Sequence, residues 1–176
     1  MSSSFFFNDV YPYLSGTVKI VGSIAFAVGV LLYVKQDSLL YFPAPPGFPV
    51  KPSENAKFFR SPSEWNTKGK PIRSKDASNV IPFEETFLQT PDGVSIHTWL
   101  LLQKDSANRP TLIYFHGNAG NMGFRLQNAA EMYGYVGINV LMMDYRGFGS
   151  STGNPNEKGL NIDAETVLEY AINHPK

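Results

Sequence analysis

The chain has no cysteine in its 176 residues. Disulfides, thiolate metal sites and a cysteine nucleophile are excluded together. It has no surplus of either charge, with 15 basic side chains against 15 acidic ones. A nucleic-acid footprint needs a clustered excess of Lys and Arg, so no nucleic-acid partner is expected. Histidine is scarce: His97, His116 and His174 lie far apart and show no metal-ligand spacing. Neither a metal nor another cofactor is expected. Positions 1 to 15 lack basic residues and carry one charge, Asp9. The length suits one ordinary domain.

What is present is unevenly distributed. Residues 16 to 34 hold a single charge, Lys19. A helix of that length reaches roughly 30 Å, the thickness of a bilayer core. Lys19 lies near one end, where its stem can snorkel to the headgroups. Tyr11 and Tyr13 on one side, and Tyr33 and Tyr41 on the other, suit interfacial belts. A cleaved signal peptide would need a basic n-region, which is absent, and a convincing Ala-x-Ala cleavage site, whereas Ala25-Phe26-Ala27 lies inside the apolar run. A buried core helix is the remaining alternative. The expectation is a single-pass N-terminal anchor with the lipid bilayer as partner. Lys19 and Lys35 bias the topology too little to fix an orientation, and endomembrane and plasma membrane are not distinguished.

Residues 35 to 82 read as a linker. Pro43, Pro45, Pro46, Pro49, Pro52, Pro62, Pro71 and Pro82 interrupt every possible helix. The segment is either a semi-rigid extended spacer, with Phe58, Phe59 and Trp65 packed on a neighbouring surface, or a disordered linker carrying stray aromatics. The expected division is a tail at 1 to 15, a span at 16 to 34, a linker at 35 to 82 and a domain at 83 to 176.

From Phe83 the pattern becomes regular. Phe83 to Thr90 and Val94 to Gln103 read as strands joined by the turn residues Pro91-Asp92-Gly93, which predicts a hairpin. Val94, Ile96, Thr98 and Leu100 fall on one face, and His97 and Trp99 on the other. Thr111 to Phe115 predicts a short buried strand, Asn121 to Val136 a helix, and Ile138 to Met143 a second buried strand. Gly159 to Asn173 predicts an amphipathic helix with Leu160, Ala164, Val167, Leu168, Ala171 and Ile172 on its apolar stripe. Strand, helix, strand, helix at these lengths implies βαβ units and a parallel sheet covered on both faces.

A Gly-rich turn follows the strand at 111 to 115: His116-Gly117-Asn118-Ala119-Gly120-Asn121. Such a turn holds backbone N–H groups above the sheet, where acyl transfer needs donors for a developing oxyanion. A tight strand-to-helix turn that merely needs glycine is the plainer reading. A phosphate loop is excluded by the lack of a following Gly-Lys-Ser/Thr. The strings Phe-His-Gly-Asn-Ala-Gly-Asn (115 to 121), Asp-Tyr-Arg-Gly-Phe-Gly-Ser-Ser-Thr-Gly (144 to 153) and Gly-Leu-Asn-Ile-Asp-Ala-Glu (159 to 165) come in that order. Together they resemble the membrane-anchored α/β-hydrolase-domain serine hydrolases of the dienelactone-hydrolase-like, "Bud emergence" branch. The resemblance covers residues 80 to 176, with a looser match in Leu40-Tyr41-Phe42-Pro43. It implies the N-terminal half of an α/β-hydrolase fold and a carboxylic ester or thioester, often lipid, as substrate. It also implies an oxyanion-hole loop at His116, Gly117 and Asn118, with the Asn118 amide as one donor.

In that family the nucleophile strand, its Gly-x-Ser-x-Gly turn, the acid and the histidine follow the helix at 159 to 173. All three groups are expected beyond Lys176, so no catalytic residue is assigned and the chain by itself is expected to be inactive. One literal match exists, Gly149-Ser150-Ser151-Thr152-Gly153, trailed by Asp163 and His174. No apolar strand precedes it, as a nucleophile elbow requires. Asp163 and His174 also sit on one helix, roughly 16 Å apart at 1.5 Å per residue. Asp144 and Arg146 are expected to fix the loop after the strand at 138 to 143. His97 is expected to be packed or solvated, His116 to support its own turn, and Asp163 and Glu165 to sit in the first turns of a helix for its dipole. The alternatives to a hydrolase are a non-enzymatic membrane protein or interaction partner, of unknown oligomeric state, and a truncated gene product.

Overall fold

A computed structural model describes residues 11–73 and 79–175 and divides the chain into two units, Met1–Leu40 and Tyr41–Lys176. Most of the expected tail, residues 1–10, lies outside the described residues.

The first unit is one helix, α1, spanning Tyr11–Leu40. It extends past the apolar run of 16 to 34 at both ends. No glycine or proline follows Gly29 until Pro43, so nothing stops the helix at Val34. Its 30 residues reach about 45 Å. The surface is apolar all round, with Ile20, Phe26 and Tyr33 exposed. The Thr17 hydroxyl donates to the Tyr13 carbonyl and that of Ser38 to the Lys35 carbonyl, so both are satisfied within the helix. Among the described residues this is one helix long and apolar enough to cross a membrane.

The second unit is built on four strands: β1 (Phe83–Gln89), β2 (Ser95–Leu101), β3 (Thr111–Tyr114) and β4 (Asn139–Met143), in the order β1-β2-β4-β3. β1 and β2 form the hairpin, with Phe83 opposite Leu101 and Gly93 at φ +82° in the turn. β2 runs antiparallel to β4, and β3 runs parallel to β4 with Thr111 opposite Asn139. The sheet is therefore mixed. Only β3 and β4, joined by a helical crossover, are parallel, since a tight turn can only reverse the chain.

Both faces are covered. Trp99, Leu101, Val140 and Met142 face Met122, Leu126, Ala129 and Tyr133 from the crossover. Ile96, Leu100, Leu141 and Met143 face Val167 of α3, which spans Glu157–Asn173. β2 and β4 are thus buried on both sides. β3 is not the buried strand its sequence predicts: Thr111 and Leu112 are exposed, because among the described residues β3 has a neighbour on one edge only.

The crossover winds in three ways instead of forming one helix. A 3-10 turn at Met122–Arg125 leads into α2 (Leu126–Glu131) and then a π turn at Met132–Val136. Gly134 is pressed against the backbone of Lys68 and Gly69, where a Cβ would overlap it. The Gln103 amide donates to the carbonyls of Tyr133 and Ile138, satisfying the frayed end.

In α3, the Asn156 side chain accepts from the Gly159 amide at the N-cap. The inward line is Gly159, Asp163 and Val167. Leu168 and Ile172, expected on the buried stripe, are 48% and 71% exposed. The helix is rotated so that a carboxylate, Asp163, points inward.

The Pro-rich segment is neither an extended spacer nor a disordered linker. Pro52 and Pro62 open 3-10 turns at Pro52–Glu54 and Pro62–Glu64. The Glu54 carboxylate accepts from the Val50 and Lys51 amides. Trp65 and Ile81 are buried in the core against the first face of the sheet, and the Trp65 indole donates to the Phe58 carbonyl. The prolines fix φ in turns that let these apolar groups fold back.

Candidate active site

The turn His116 to Asn121 leaves the C-terminal end of β3. Ala119 and Gly120 both take positive φ, +67° and +78°. For alanine this is a strained conformation of the kind found at functional turns. The Asn118 side-chain oxygen holds it, accepting from the Ala119 amide and, across the chain, from the Phe42 amide, both at 3.0 Å. The Gly120 amide donates to the Pro43 carbonyl. The amides of Ala119 and Gly120 are thus committed, and neither can serve as an oxyanion donor. Gly120 must be glycine, since a Cβ there would lie 2.8 Å from the Phe124 ring.

The turn is tied to its surroundings at two further points. Asn121 and Asn55, both buried, exchange reciprocal amide bonds at 2.8 and 3.1 Å. Asn121 also accepts from the Gly123 amide and so caps the crossover. No local pattern signals this pair, whose members lie 66 residues apart. The second tie is Asp144, at the end of β4. Its carboxylate accepts from the Met122 amide at 2.6 Å, with His116 Nε2 at 3.4 Å and His97 Nδ1 at 3.7 Å. His97 Nδ1, His116 Nε2 and Asp144 Oδ2 are buried without a hydrogen-bond partner. Burial would raise the Asp144 pKa, but His116, His97 and the Met122 amide outweigh it and hold the pKa below the usual carboxylate range.

The predicted residues are placed as follows. His116 is buried, and its Nδ1 lies 2.7 Å from the Gly117 carbonyl oxygen, within its own turn. His97 is buried between Phe87, stacked at 4.6 Å, and Trp99, with Nε2 at 2.6 Å from Glu85. Arg146 fixes the loop after β4. Its backbone N–H, Nε and Nη2 donate to Asp163, and its Nη1 and Nη2 donate to Asp92 in the hairpin turn. Asp163 is therefore fully buried as an ion-pair partner, and the helix dipole is not its main role. An Arg in a Gly-rich loop and an Asp on the inward line of a helix were the available signals. The Arg146 guanidinium, with help from Thr90, holds the Asp92 pKa down at about 2.

The Gly-x-Ser-x-Gly string does structural work. The Ser151 hydroxyl donates to the Asp144 carbonyl at 2.6 Å and accepts from the His97 amide at 2.9 Å. Gly149, at φ +55°, sits where any Cβ would overlap the Asp144 carboxylate. Asp163 is held by Arg146, and His174 faces Glu84 at 3.0 Å. Ser151, Asp163 and His174 thus point to three different partners. Among the described residues no group of three or more His, Asp or Glu is placed to hold a metal ion.

The chain is 41% identical over 145 residues to protein bem46 of Schizosaccharomyces pombe, which covers 82% of this chain and 42% of that protein. It is 30% identical over 162 residues to the α/β-hydrolase domain-containing protein WAV2 of Arabidopsis thaliana, covering 90% of this chain and 45% of that one. The chain belongs to the α/β-hydrolase family. It spans under half the length of these two relatives. Among solved structures, the chain is similar to an esterase from Pyrococcus furiosus, with a TM-score of 0.46 and 22% identity over 54% of this chain and 36% of that one. A Saccharomyces cerevisiae protein described as an uncharacterized membrane protein, YNL320W, is 34% identical over 93 residues, which are 53% of this chain and 32% of that protein. No protein-family model matches.

Proposed function

We propose that this α/β-hydrolase chain is the N-terminal part of a membrane-anchored serine-type hydrolase of carboxylic esters or thioesters. The observation that carries the reading is the strained turn at 116 to 121, raised above the end of β3 and pinned by Asp144, Asn55 and Phe42. A fixed backbone donor in that position stabilises the oxyanion of acyl transfer, and losing one such donor raises the barrier by about 2.7–4 kcal/mol. The Asn118 amide is the donor the family assigns. The described residues supply this side of a site and no nucleophile, since Ser151 is committed to Asp144 and His97. Without nucleophile and base the covalent route is absent.

A fluorophosphonate probe tests both halves of the reading. The chain of 176 residues should not be labelled, and a chain continued along its reading frame past Lys176 should be. Labelling of the shorter chain, or a continued frame without an apolar strand and a Gly-x-Ser-x-Gly turn, would overturn the proposal. A second reading is a non-enzymatic membrane protein that takes up a partner strand on the open edge of β3, where Leu112 is exposed. It predicts no labelling at any chain length. In both readings α1 is the anchor. The protein should stay in the pellet after carbonate extraction, and Ala27→Arg should weaken insertion by about 2.5–3.5 kcal/mol. Wild-type recovery in the supernatant would refute the anchor.

A further inference from the structure

The Pro-rich segment and the turn at 118 to 120 enclose a pocket of about 420 Å³. Phe48, Phe59, Phe124 and Pro45 form its walls, and Arg125 is the one ionisable group among the described residues that line it. Phe59 and Phe124 meet at 6.4 Å between ring centroids, and Phe48 stands 59% exposed over the opening. The volume falls near the lower end of the roughly 300–1,000 Å³ typical of small-molecule sites, enough for one alkyl chain and tight for two. The half-buried Arg125 guanidinium makes no hydrogen bond or ion pair among the described residues. The guanidinium is a planar fork of donors, and here it stands beside an apolar wall without a counterion among the described residues. An anionic ligand group would pair with it through a bidentate, charge-assisted contact.

We propose that this pocket binds a single-chain amphiphile with an anionic head, the alkyl chain lying against the three phenylalanines and the carboxylate or phosphate on Arg125. A fatty acid and a monoacyl phospholipid share that chemistry. The wall of the pocket is the turn that carries the proposed oxyanion donor, so the inference rests on the hydrolase reading for its catalytic meaning. Binding itself requires no nucleophile.

The test is displacement of a dansyl-labelled fatty acid from the full chain in phosphatidylcholine nanodiscs, corrected against empty nanodiscs. Decanoate and decyl phosphate should displace the probe, and their order tells a carboxylate ligand from a phosphate one. Decyltrimethylammonium and decyl maltoside should displace it at least roughly ten-fold less well. Arg125→Gln should weaken the anionic competitors by roughly ten-fold or more and leave decyl maltoside unchanged. Phe48→Ser, at an exposed position, should weaken every competitor. An absence of probe binding, equal displacement by the cationic amphiphile, or wild-type behaviour of Arg125→Gln would each overturn the proposal. None of these results bears on fluorophosphonate labelling, so the binding claim and the hydrolase reading can fail separately.

Discussion

Replacing Asp144 with Asn removes one negative charge and changes almost no volume. The Asn oxygen can still accept from the Met122 amide, now as a neutral bond in place of a charged one at 2.6 Å. The side-chain NH₂ then takes the place of Oδ2 and faces His97 Nδ1, which had faced a carboxylate oxygen at 3.7 Å, while His116 Nε2, at 3.4 Å from Oδ1, faces a neutral oxygen. Losing a hydrogen bond to a charged acceptor removes about 1.5–3 kcal/mol. Breaking a buried pair by removing one partner removes about 3–5 kcal/mol. The two overlap here, so a loss of about 3 kcal/mol is expected. For a chain of this size that lowers the melting midpoint by about 6–12 °C. Near-UV circular dichroism in detergent measures the midpoint. Hydrogen exchange at Met122 measures the local effect, where about 3 kcal/mol is roughly a hundred-fold or more in opening. The pH dependence has a fixed sign. The folded pKa of Asp144 is lowered from 3.8, so its contribution is complete well above that value and is lost as pH falls through the lower, folded one. The gap between wild type and Asp144→Asn should therefore close in acid. A midpoint within about 2 °C of wild type, with Met122 protection unchanged, would refute the view that this carboxylate pins the turn.

Asp92 follows the same rule: its stabilisation is present above 3.8 and lost as pH falls through about 2, so Asp92→Asn should flatten the acid limb of an unfolding titration over that interval. Gly149→Ala should leave the protein largely insoluble, because φ +55° and overlap with the Asp144 carboxylate act together; a soluble variant with a wild-type melt would contradict the geometry. Ser151→Ala should leave fluorophosphonate background unchanged and lower stability by about 1–3 kcal/mol in urea titration, since it strands the buried His97 amide.

The strands, the crossover and the turn at 116 to 121 were legible because periodicity and glycine placement are local signals. Glycines at 120, 137 and 149 sit at positive φ where the sequence breaks its apolar runs. The resemblance of three ordered strings supplied the family. What local patterns could not supply were the long-range polar contacts. Asn55 and Asn121 form the tie between two segments, yet each alone is an unremarkable amide in a loop. Asp163 was explained by a helix dipole because the helix was read by its apolar residues, and a buried carboxylate is recognisable only once its arginine is located. The winding of the crossover depends on Lys68–Gly69 pressing against Gly134, a contact with no trace in the crossover's own sequence.

The largest revision concerns where the domain starts. Prolines exclude helices, and the sequence leaves open a spacer with Phe58, Phe59 and Trp65 packed on a neighbouring surface or a disordered linker. Trp65 does pack, with Phe58 against it, but as part of the core and not on the surface of a separate domain. Proline removes a donor and fixes φ, which suits tight turns as well as extended chain. What separates a spacer from a folded segment is whether its apolar side chains find a surface, and Trp65 and Ile81 find the first face of the sheet. Once they do, the segment's own polar groups must be satisfied, and Phe58, Phe42, Pro43 and Asn55 each make a bond that accomplishes this. Three of these four bonds end on the turn between 118 and 121. A segment that only linked two units would have no reason to converge on a turn whose backbone is strained at Ala119. The domain therefore begins at Tyr41, and the residues that follow α1 belong to the architecture of the candidate site.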